Sequence, residues 1–424
     1  MDHFAYKEGK LSAEDVALET IALEVGTPVY VYSTATLKRH FQVFSEAFQG
    51  VHALVCFAVK ANSNQAVLRT LAREGAGADV VSLGELTRAL MAGIPGDRIV
   101  FSGVGKTPEE MHAALRAGIK QFNAESEAEL EVLNLVAGEM GLTAPVSVRV
   151  NPDVDAKTHA KISTGKSENK FGIPWQRVDA VYARIKELEH LEAVGVDLHI
   201  GSQLTDLAPF REAFAKVVTL VKDLRAKGHD IRHIDLGGGL GIPYDPEQAA
   251  PPAPAEYGTM IREVLGDLDC GIILEPGRLI AGNAGVLVTR MLYEKKGVDR
   301  TFYILDAAMN DLGRPAMYDA YHAIVPVREA ETDATLEADF VGPVCESSDT
   351  FAKARKTTPL KAGDLVAIKS AGAYGAVMSS TYNSRPLVPE VLVDDTRYAV
   401  VRKRQSLEEL LSLDEVPTWL TGSG

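Results

Sequence analysis

Short apolar runs alternate with amphipathic helical patterns between about residue 35 and residue 283. The runs are continuous rather than alternating, which is typical of strands that are buried on both faces of a parallel sheet. We predict eight strands: Leu54–Val59, Ala78–Val81, Arg98–Phe101, Lys120–Phe122, Val146–Val150, Val194–His199, Arg232–Leu236 and Ile272–Leu274. Eight β–α units over about 250 residues predict an α/β fold with a TIM-like (β/α)8 barrel. An open doubly wound sheet is the alternative, although no Gly-x-Gly-x-x-Gly follows the first strand.

The pattern changes after about residue 284, where strand-like runs follow one another and long helical periods are rare. The strand-like runs are Gly285–Tyr293, Asp299–Asp306 and Asp364–Ile368, and a helical period comes late, at Ser406–Leu413. The segment Thr27–Tyr32, which precedes the barrel, is also strand-like. We therefore predict a barrel domain over residues 35–283 and a second, β-rich domain, sandwich-like or barrel-like, over residues 1–34 and 284–424.

The composition narrows the class of protein. The chain has 424 residues, with 44 basic and 58 acidic side chains and a net charge of −14, and this acidity argues against general binding to nucleic acid. Its three cysteines do not suggest a disulfide framework. We see neither a signal-peptide pattern nor an apolar run of about 18 residues. We therefore expect a cytoplasmic protein with no membrane span and no nucleic-acid partner.

The segment Lys157–Lys170 is polar, with four lysines in fourteen residues. A solvated loop is one interpretation of this composition. A mobile lid is the other, since the segment follows the fifth predicted strand at the end of the barrel where active sites lie.

Two turns at predicted strand ends suit an anion. The seventh strand is followed by Gly237–Gly241 (GGGLG), and the eighth is followed by Glu275–Arg278 (EPGR). Glycine N–H groups can converge on an anion, and the Arg278 guanidinium can add charge-assisted hydrogen bonds. Glycine turns also occur without a ligand, and Glu275 could simply pair with Arg278. Phosphate sites in such barrels are often built from these two loops, which favours phosphate binding.

Lys60 ends the first predicted strand, and a lysine there can form a Schiff base with a carbonyl compound. Glu275 can hold a proton on a ring nitrogen, so the lysine, the glutamate and the phosphate turns together predict a site for pyridoxal 5'-phosphate (PLP). His199 ends the sixth strand and Ser202 follows it, and there an imidazole can stack on the ring and a hydroxyl can cap the phosphate. Arg149 ends the fifth strand and can reach the phenolic oxygen of PLP. Taken alone, each of these residues is more often structural.

The second predicted domain carries further candidates. Arg314 and Tyr318 are four residues apart and share one face if the segment is helical, and an arginine suits a carboxylate. Cys345 and Glu346 place a thiol beside a carboxylate in a turn, and Tyr374 lies in a glycine-containing turn. A surface arginine beside a packed tyrosine, and a buried cysteine that only fills space, are the structural alternatives.

These residues and their surroundings resemble the diaminopimelate decarboxylases, a family of the fold-type III PLP-dependent group. The resemblance runs from about Thr27 to Leu392. The motifs that carry it are Phe57–Asn62, His199–Gln203, Gly237–Gly241, Glu275–Arg278, Cys345–Asp349 and Gly372–Gly375. The lysine, histidine and EPGR motifs are shared by the wider decarboxylase group. The segment from Arg314 to Tyr318, with Tyr321-His322 after it, resembles diaminopimelate decarboxylases specifically.

The resemblance implies an enzyme that decarboxylates meso-2,6-diaminopimelate to L-lysine and CO2, the last step of lysine biosynthesis. The implied catalytic residues are Lys60, His199, Glu275 and Cys345. The implied cofactor-binding residues are Lys60, His199, Ser202, Gly239, Glu275, Gly277, Arg278 and Tyr374. The implied substrate-binding residues are Arg278, Arg314, Tyr318, Glu346 and Tyr374. In this family Cys345 and Glu346 come from the second subunit, which implies a homodimer with shared active sites.

Three other functions stay open. A sibling decarboxylase of ornithine, arginine or carboxynorspermidine would share the cofactor site and differ at the distal end of the substrate, where Arg314 and Glu346 discriminate. A non-catalytic binding protein with this fold would be expected to lack the lysine or the cysteine, and this chain has both. A racemase would want a neutral pyridine nitrogen, which Glu275 opposes.

Overall fold

The computed structural model describes residues 2–155, 170–330 and 333–421. The chain forms two compact units, Ala35–Asn283 and Met1–Thr34 together with Ala284–Gly424. Of the polar segment Lys157–Lys170, all but Lys170 lies outside the described residues, so the lid prediction is untested. Within the described residues, no helix combines the length and the apolar character needed to cross a membrane.

The N-terminal segment begins the second unit with a small antiparallel sheet. Its elements are β1 (Phe4–Lys7), β2 (Lys10–Ala13), β3 (Val16–Ala17), α1 (Leu18–Val25) and β4 (Val29–Ser33). All five residues of β4 are buried. This strand is therefore part of a core, as its apolar sequence predicts.

Residues 35–283 form a barrel of parallel strands. The strands are β5 (Ala53–Ala58), β6 (Gly77–Val80), β7 (Ile99–Phe101), β8 (Gln121–Ala124), β9 (Ala144–Asn151), β10 (Ile173–Pro174), β11 (Leu191–Asp197), β12 (His233–Asp235) and β13 (Gly271–Leu274). Two-residue β10 pairs only with β9, and the other eight strands form the barrel. The barrel closes because β13 pairs in parallel with β5. The predicted TIM-like barrel is confirmed, and the open doubly wound sheet is wrong.

Helices connect successive strands. They are α2 (Thr34–Glu46), α3 (Gln65–Arg73), α4 (Leu83–Met91), α5 (Pro108–Arg116), α6 (Glu127–Glu139), α7 (Val178–Glu187), α8 (Ala208–Ala226), α9 (Pro254–Leu265) and α10 (Arg278–Ala281). Four consecutive helices start at a side-chain cap, provided by Asn64, Ser82, Thr107 and Ser126. Each cap accepts a hydrogen bond from a backbone N–H of the first turn, which fixes where the helix begins after its strand.

The rest of the second unit is built on a β-sheet, as predicted. Its elements are β14 (Gly285–Lys296), β15 (Thr301–Leu305), α11 (Arg314–Tyr318), β16 (Ile324–Pro326), β17 (Leu336–Val341), β18 (Thr350–Thr357), β19 (Leu365–Ile368), β20 (Glu390–Asp394), β21 (Arg397–Arg402) and α12 (Leu407–Leu411). N-terminal strand β4 lies in the middle of this sheet, antiparallel to β14 and parallel to β20. The strand-like segment at residues 27–32 thus contributes a strand to this sheet.

An aromatic cluster joins three helices of the barrel unit. Phe210 and Phe214 of α8 contact Tyr257 of α9, with ring centroids 5.1 and 6.3 Å from the tyrosine ring. Phe44 of α2 and nearby Phe48 pack on Tyr257 and on each other. Phe210 is completely buried, so water does not reach its ring in the folded state. The cluster therefore depends on the packing of this ring.

Replacing Phe210 by alanine should lower the free energy of unfolding by about 3–5 kcal/mol, since it removes a buried ring and leaves a cavity. Phe210→Leu should lower it less, because part of the volume is retained. Urea unfolding followed by circular dichroism measures both changes. Leu135→Ala is the matched control, since Leu135 lies on a barrel helix and is 66% exposed. An equal loss for the alanine variants at both sites would contradict a packing role for Phe210.

Candidate active site

Lys60 follows β5 in a short 3-10 turn, Val59–Ala61. Its side chain is 39% exposed, and its Nζ donates a hydrogen bond of 2.8 Å to Oδ2 of Asp79, which is fully buried on β6. The amine is thus held at the carboxyl end of the barrel by a buried counter-ion. Sequence reasoning missed Asp79, although it is the one charged residue in the strand Gly77–Val80.

The glycine turn after β12 is shaped by close backbone contacts. A Cβ on Gly238 would lie 2.2 Å from the carbonyl oxygen of Glu275, and one on Gly239 would lie 2.3 Å from that of Gly201. Gly239 also has a φ of +109°, which L side chains rarely adopt. Glycine is therefore required here because backbone from both neighbouring strand ends approaches the turn.

Arg278 begins α10 and is 7% exposed. Its Nη2 donates to Oγ of Ser202 at 3.0 Å, and its Nη1 donates to the hydroxyl of Tyr244 at 2.7 Å. The preceding residue, Gly277, lies against the Lys60 turn, because a Cβ there would come 2.9 Å from Cβ of Ala61. The guanidinium and the hydroxyl that sequence reasoning assigned to phosphate binding are therefore neighbours.

The His199 imidazole lies beside the glycine turn. The backbone N–H of Gly238 donates to its Nδ1 at 3.3 Å, which places the ring proton on Nε2. Burial, and then the charges of Arg149 and Lys60, lower the pKa of His199 well below its usual value. The imidazole is therefore neutral at physiological pH.

Glu275 follows β13 and is one of three buried carboxylates at this end of the barrel. One carboxylate oxygen from each of Asp197, Asp235 and Glu275 lies within 4.8 Å of the others. Burial raises the pKa of Glu275 well above its ordinary value, the charges of Asp235 and Asp79 raise it further, and Lys60 opposes them. The Glu275 carboxyl group therefore binds a proton more tightly than a glutamate in water.

Arg149, at the end of β9, lies against two acidic residues. Its Nη1 contacts Oε1 of Glu125 at 3.0 Å, and its Nε is 3.9 Å from Oδ2 of Asp197. The predicted contact of Arg149 with the phenolic oxygen of PLP is untested. The two ion pairs show that Arg149 also compensates for buried negative charge.

Arg314 begins α11 in the other unit and is 6% exposed. Its Nη1 donates to Nε2 of His322 at 2.8 Å, and Nδ1 of His322 lies 2.8 Å from the carbonyl oxygen of Lys369. An arginine only donates and a carbonyl only accepts, so His322 is neutral with its proton on Nδ1. Tyr318 ends the same helix. The sequence pointed to His322 as part of a motif but not to its contact with Arg314.

The loop that carries Cys345 and Glu346 is held by side chains that sequence reasoning missed. The carboxylate of Asp349 accepts hydrogen bonds of 2.7 Å from the backbone N–H groups of Met309 and Val344. Cys345 and Glu346 are exposed in the single chain. The backbone N–H of Cys345 donates to Oδ1 of Asn383 at 2.9 Å, so the thiol is carried by an anchored backbone.

Tyr374 lies in a tight turn of the same unit and has a φ of +55°. A Cβ on neighbouring Gly375 would lie 2.5 Å from the carbonyl oxygen of Ala371. The turn that presents the tyrosine therefore depends on a glycine at position 375. The structure groups the barrel candidates at one end of the barrel and places Arg314, Tyr318, Cys345, Glu346 and Tyr374 in the other unit.

Comparisons with known proteins cover both units of the chain. The model of the pyridoxal-binding domain of pyridoxal-dependent decarboxylases matches residues 34–282. The diaminopimelate decarboxylase of Zymomonas mobilis is 50% identical over 98% of this chain and 99% of its own length. That of Vibrio cholerae is 52% identical with the same coverage of both chains. The chain belongs to the diaminopimelate decarboxylase family. The resemblance noted in the sequence is thus confirmed.

Solved structures of the family have the same fold. Diaminopimelate decarboxylase of Helicobacter pylori, complexed with L-lysine, has a TM-score of 0.90 at 45% identity, covering 93% of this chain and 98% of its own. The enzyme of M. jannaschii, also with L-lysine, has a TM-score of 0.94 at 37% identity and covers 99% of both chains. The family fold therefore extends over both units of this chain.

The side chains at the barrel end fit the cofactor of the family, PLP. Lys60 supplies a primary amine for the aldehyde, and Glu275 supplies a carboxyl group for the ring nitrogen. The glycine turn, the Ser202 hydroxyl and the Arg278 guanidinium supply donors for a phosphate. An amine, a buried carboxyl group and a set of anion donors are the groups that PLP requires, so the residues present fit it.

The buried carboxyl group of Asp235 should make the stability of the cofactor-free protein depend on pH. Burial, and then the charge of Asp197, raise its pKa from 3.8 to about 8. The folded state therefore binds the proton more tightly, and the resulting stability is full below about pH 3.8 and lost as the pH rises through about 8.

Asp235→Asn should remove this pH-dependent decrease in the free energy of unfolding, which amounts to about a few kcal/mol between the unfolded-state and folded-state pKa values of Asp235. Urea unfolding at pH 5, 6, 7 and 8 measures it, and Asp267→Asn, at an exposed aspartate, is the control. Parallel pH profiles for the wild type and Asp235→Asn would contradict the raised pKa.

Proposed function

We propose that this protein is a PLP-dependent decarboxylase that converts meso-2,6-diaminopimelate to L-lysine and CO2, the last step of lysine biosynthesis. The grouping of Lys60, Glu275 and the phosphate donors at one end of the barrel supports this most directly. Relatives at about half identity over nearly the whole chain carry the name diaminopimelate decarboxylase. Two related structures hold L-lysine, the product of that reaction.

The barrel residues hold the cofactor and a proton. When bound, PLP would supply an electron sink for the decarboxylation. Lys60 attaches the cofactor through its Nζ, and Asp79 holds that amine at the barrel rim. Glu275 would face the ring nitrogen and hold a proton there, and its raised pKa means that it competes with the ring for that proton. The neutral His199 ring provides a flat face without adding charge.

The phosphate end of the cofactor fixes its orientation. The Arg278 guanidinium and the Ser202 hydroxyl are already hydrogen-bonded to each other, so little ordering is needed to bind an anion. Gly239 and Gly277 add backbone close to these donors, and we propose that Tyr374 contributes its hydroxyl. An anchored phosphate keeps the ring in place during turnover.

We propose that Arg314 and Tyr318 bind the distal carboxylate of the substrate, with Arg278 also facing the substrate. His322 orients the Arg314 guanidinium through a neutral acceptor, which preserves a positive charge for a carboxylate. Glu346 takes the distal ammonium group, and Cys345 donates a proton to the carbon that has lost CO2. The ornithine and arginine alternatives lack a distal carboxylate, so a buried arginine disfavours them.

We further propose a cytoplasmic homodimer with shared active sites. Cys345 and Glu346 are exposed in the single chain, and their loop is held firmly by Asp349. A rigid loop that presents a thiol and a carboxylate to the outside suits a residue pair that acts in the site of a second copy.

Product analysis tests the reaction. Purified protein loaded with PLP is incubated separately with meso-diaminopimelate, L-ornithine, L-arginine and carboxynorspermidine, and CO2 and amine products are quantified. Lysine from diaminopimelate alone is the expected result. CO2 from another substrate instead would keep the cofactor and reassign the substrate, and no turnover with any of them would contradict the proposed activity.

Replacing Arg314 by alanine should raise KM for diaminopimelate about ten- to a hundredfold with a smaller loss in kcat, because a charge-assisted hydrogen bond to bound substrate is lost. The KM of Arg314→Lys should lie between those of the wild type and Arg314→Ala, since lysine keeps the charge but not the bidentate geometry. Steady-state kinetics measure the change, with Arg397→Ala as the control, because Arg397 is 81% exposed. An unchanged KM in Arg314→Ala would remove Arg314 from the substrate site.

Mixing two inactive variants tests the shared site. Lys60→Ala and Cys345→Ala should each lose almost all activity, and dimers that exchange subunits should regain about one quarter of the wild-type rate, because half of them contain one intact site. Activity after mixing, denaturing and refolding measures this. No recovery despite exchange, detected with tagged subunits, would show that both residues act within one chain.

A further inference from the structure

Two polar side chains interrupt the apolar interior of strand β8. Gln121 and Asn123 are two residues apart, so they point to the same face of the strand, and both are fully buried. Burying an amide costs free energy unless it is hydrogen-bonded. Asn123 is hydrogen-bonded at both ends of its amide, whereas Oε1 of Gln121 has no partner within the described part of the chain. The reaction described above uses neither residue.

The Asn123 amide lies between two carboxylates. Its Nδ2 is 3.1 Å from Oδ2 of Asp235 and 3.3 Å from Oε1 of Glu275. It also donates at 3.1 Å to Oγ of Ser102, whose hydroxyl lies 3.4 Å from the same Oε1. Both contacts with Glu275 therefore end on Oε1, and Oε2 is the oxygen that remains for another donor.

Gln121 fixes which way the Asn123 amide points. The Nε2 of Gln121 donates to Oδ1 of Asn123 at 2.9 Å. With Gln121 in this orientation, a flipped Asn123 would turn its carbonyl oxygen towards two carboxylates and its NH2 group towards another NH2 group. The assigned orientation of Asn123 is therefore the one that suits ionised carboxylates. The NH2 group of Asn123 thus faces the Ser102 hydroxyl and the two carboxylates, which share its two hydrogens.

We propose that Asn123 is a positioning residue for Glu275, which separates the Glu275 and Asp235 carboxylates and directs Glu275 towards the ring nitrogen of the cofactor. This rests on the proposed function, because the partner of Glu275 is the PLP ring. Two carboxylates this close would otherwise share one proton between themselves. An NH2 group between them satisfies both and leaves the Glu275 proton for the ring.

Charged groups from several strands face Glu275. Their combined electrostatic effect determines how strongly Glu275 competes for a proton. Asp79, Asp197 and Asp235 repel a negative charge on Glu275, and Lys60 and Arg149 attract it. The hydrogen bond from Asn123 lowers the pKa of Asp235, against the effect of burial. Without Asn123, the proton is expected to settle between Asp235 and Glu275.

The test uses holoenzyme loaded with PLP that carries 15N at the ring nitrogen. The 15N chemical shift reports directly whether that nitrogen is protonated. Asn123→Leu keeps the volume and removes the donors, and Asn123→Asp keeps the shape and replaces the NH2 group by oxygen. In both variants we expect a shift towards the unprotonated ring and a kcat that is lower by about ten- to a hundredfold, with KM within about twofold.

Ser147→Ala is the matched control. Ser147 is fully buried on the adjacent strand β9, and its hydroxyl has no hydrogen-bond partner within the described part of the chain. This variant should keep both the 15N shift and kcat. Asn123→Gln retains the NH2 group and should restore part of the ring protonation, which a purely structural role does not predict. If Asn123→Leu does not fold, Asn123→Asp and Asn123→Gln decide the question.

The outcomes separate this inference from the proposed function. Wild-type turnover of diaminopimelate together with unchanged 15N shift and kcat in the folded Asn123 variants would overturn the positioning role alone. No turnover by the wild type, with a protonated ring that loses its proton in the variants, would overturn the proposed reaction and support the positioning role.

Discussion

The burial of several carboxylates at the carboxyl end of the barrel is the constraint on which the site depends. Asp79 and Asp235 are fully buried, and Asp197 and Glu275 are 2% and 7% exposed. Burying a charge without compensation is strongly unfavourable, so each carboxyl group needs a cation, a donor or a proton. Lys60 and Arg149 provide the cations, and Asn123 provides donors. Raised pKa values of Asp197, Asp235 and Glu275 show that these partners compensate only in part. Because the compensation is incomplete, these carboxyl groups bind protons tightly. Protons are therefore available at the place where the ring of the cofactor would bind.

The glycine turn after β12 has a related origin in backbone packing. Its glycines let the ends of β11, β12 and β13 approach so closely that a Cβ at Gly238 or Gly239 would overlap a carbonyl oxygen. The same approach brings Ser202, which follows β11, next to Arg278, which follows β13, and brings His199 against Gly238 of the turn. Residues far apart in the sequence thus become one set of donors because β11, β12 and β13 are neighbours in the barrel.

The sequence predicts the barrel well because eight buried strands of continuous apolar residues leave few architectures open. It also predicts the strand-end residues, since the active side of such a barrel is fixed by its topology. It does not predict the contacts of Lys60 with Asp79 or of Asn123 with Glu275. Those contacts depend on which residues of neighbouring strands share a level in the barrel, and strand register is not encoded in an apolar run that lacks alternation. Polar residues inside otherwise apolar strands, such as Asp79 and Asn123, are the signal that could have indicated them.

The contact between Arg314 and His322 illustrates a different limit. Local spacing identified Arg314 as a candidate for carboxylate binding, but spacing says nothing about what orients a guanidinium. A carboxylate partner would have cancelled its charge, whereas the neutral imidazole accepts one hydrogen bond and adds no charge. The carbonyl oxygen of Lys369 fixes the imidazole tautomer, so that Nε2 is always available as the acceptor. This contact orients the guanidinium without itself adding a negative charge, which suits recognition of a distal carboxylate. The contact with His322 therefore adds support for the proposed substrate that the arginine alone does not provide.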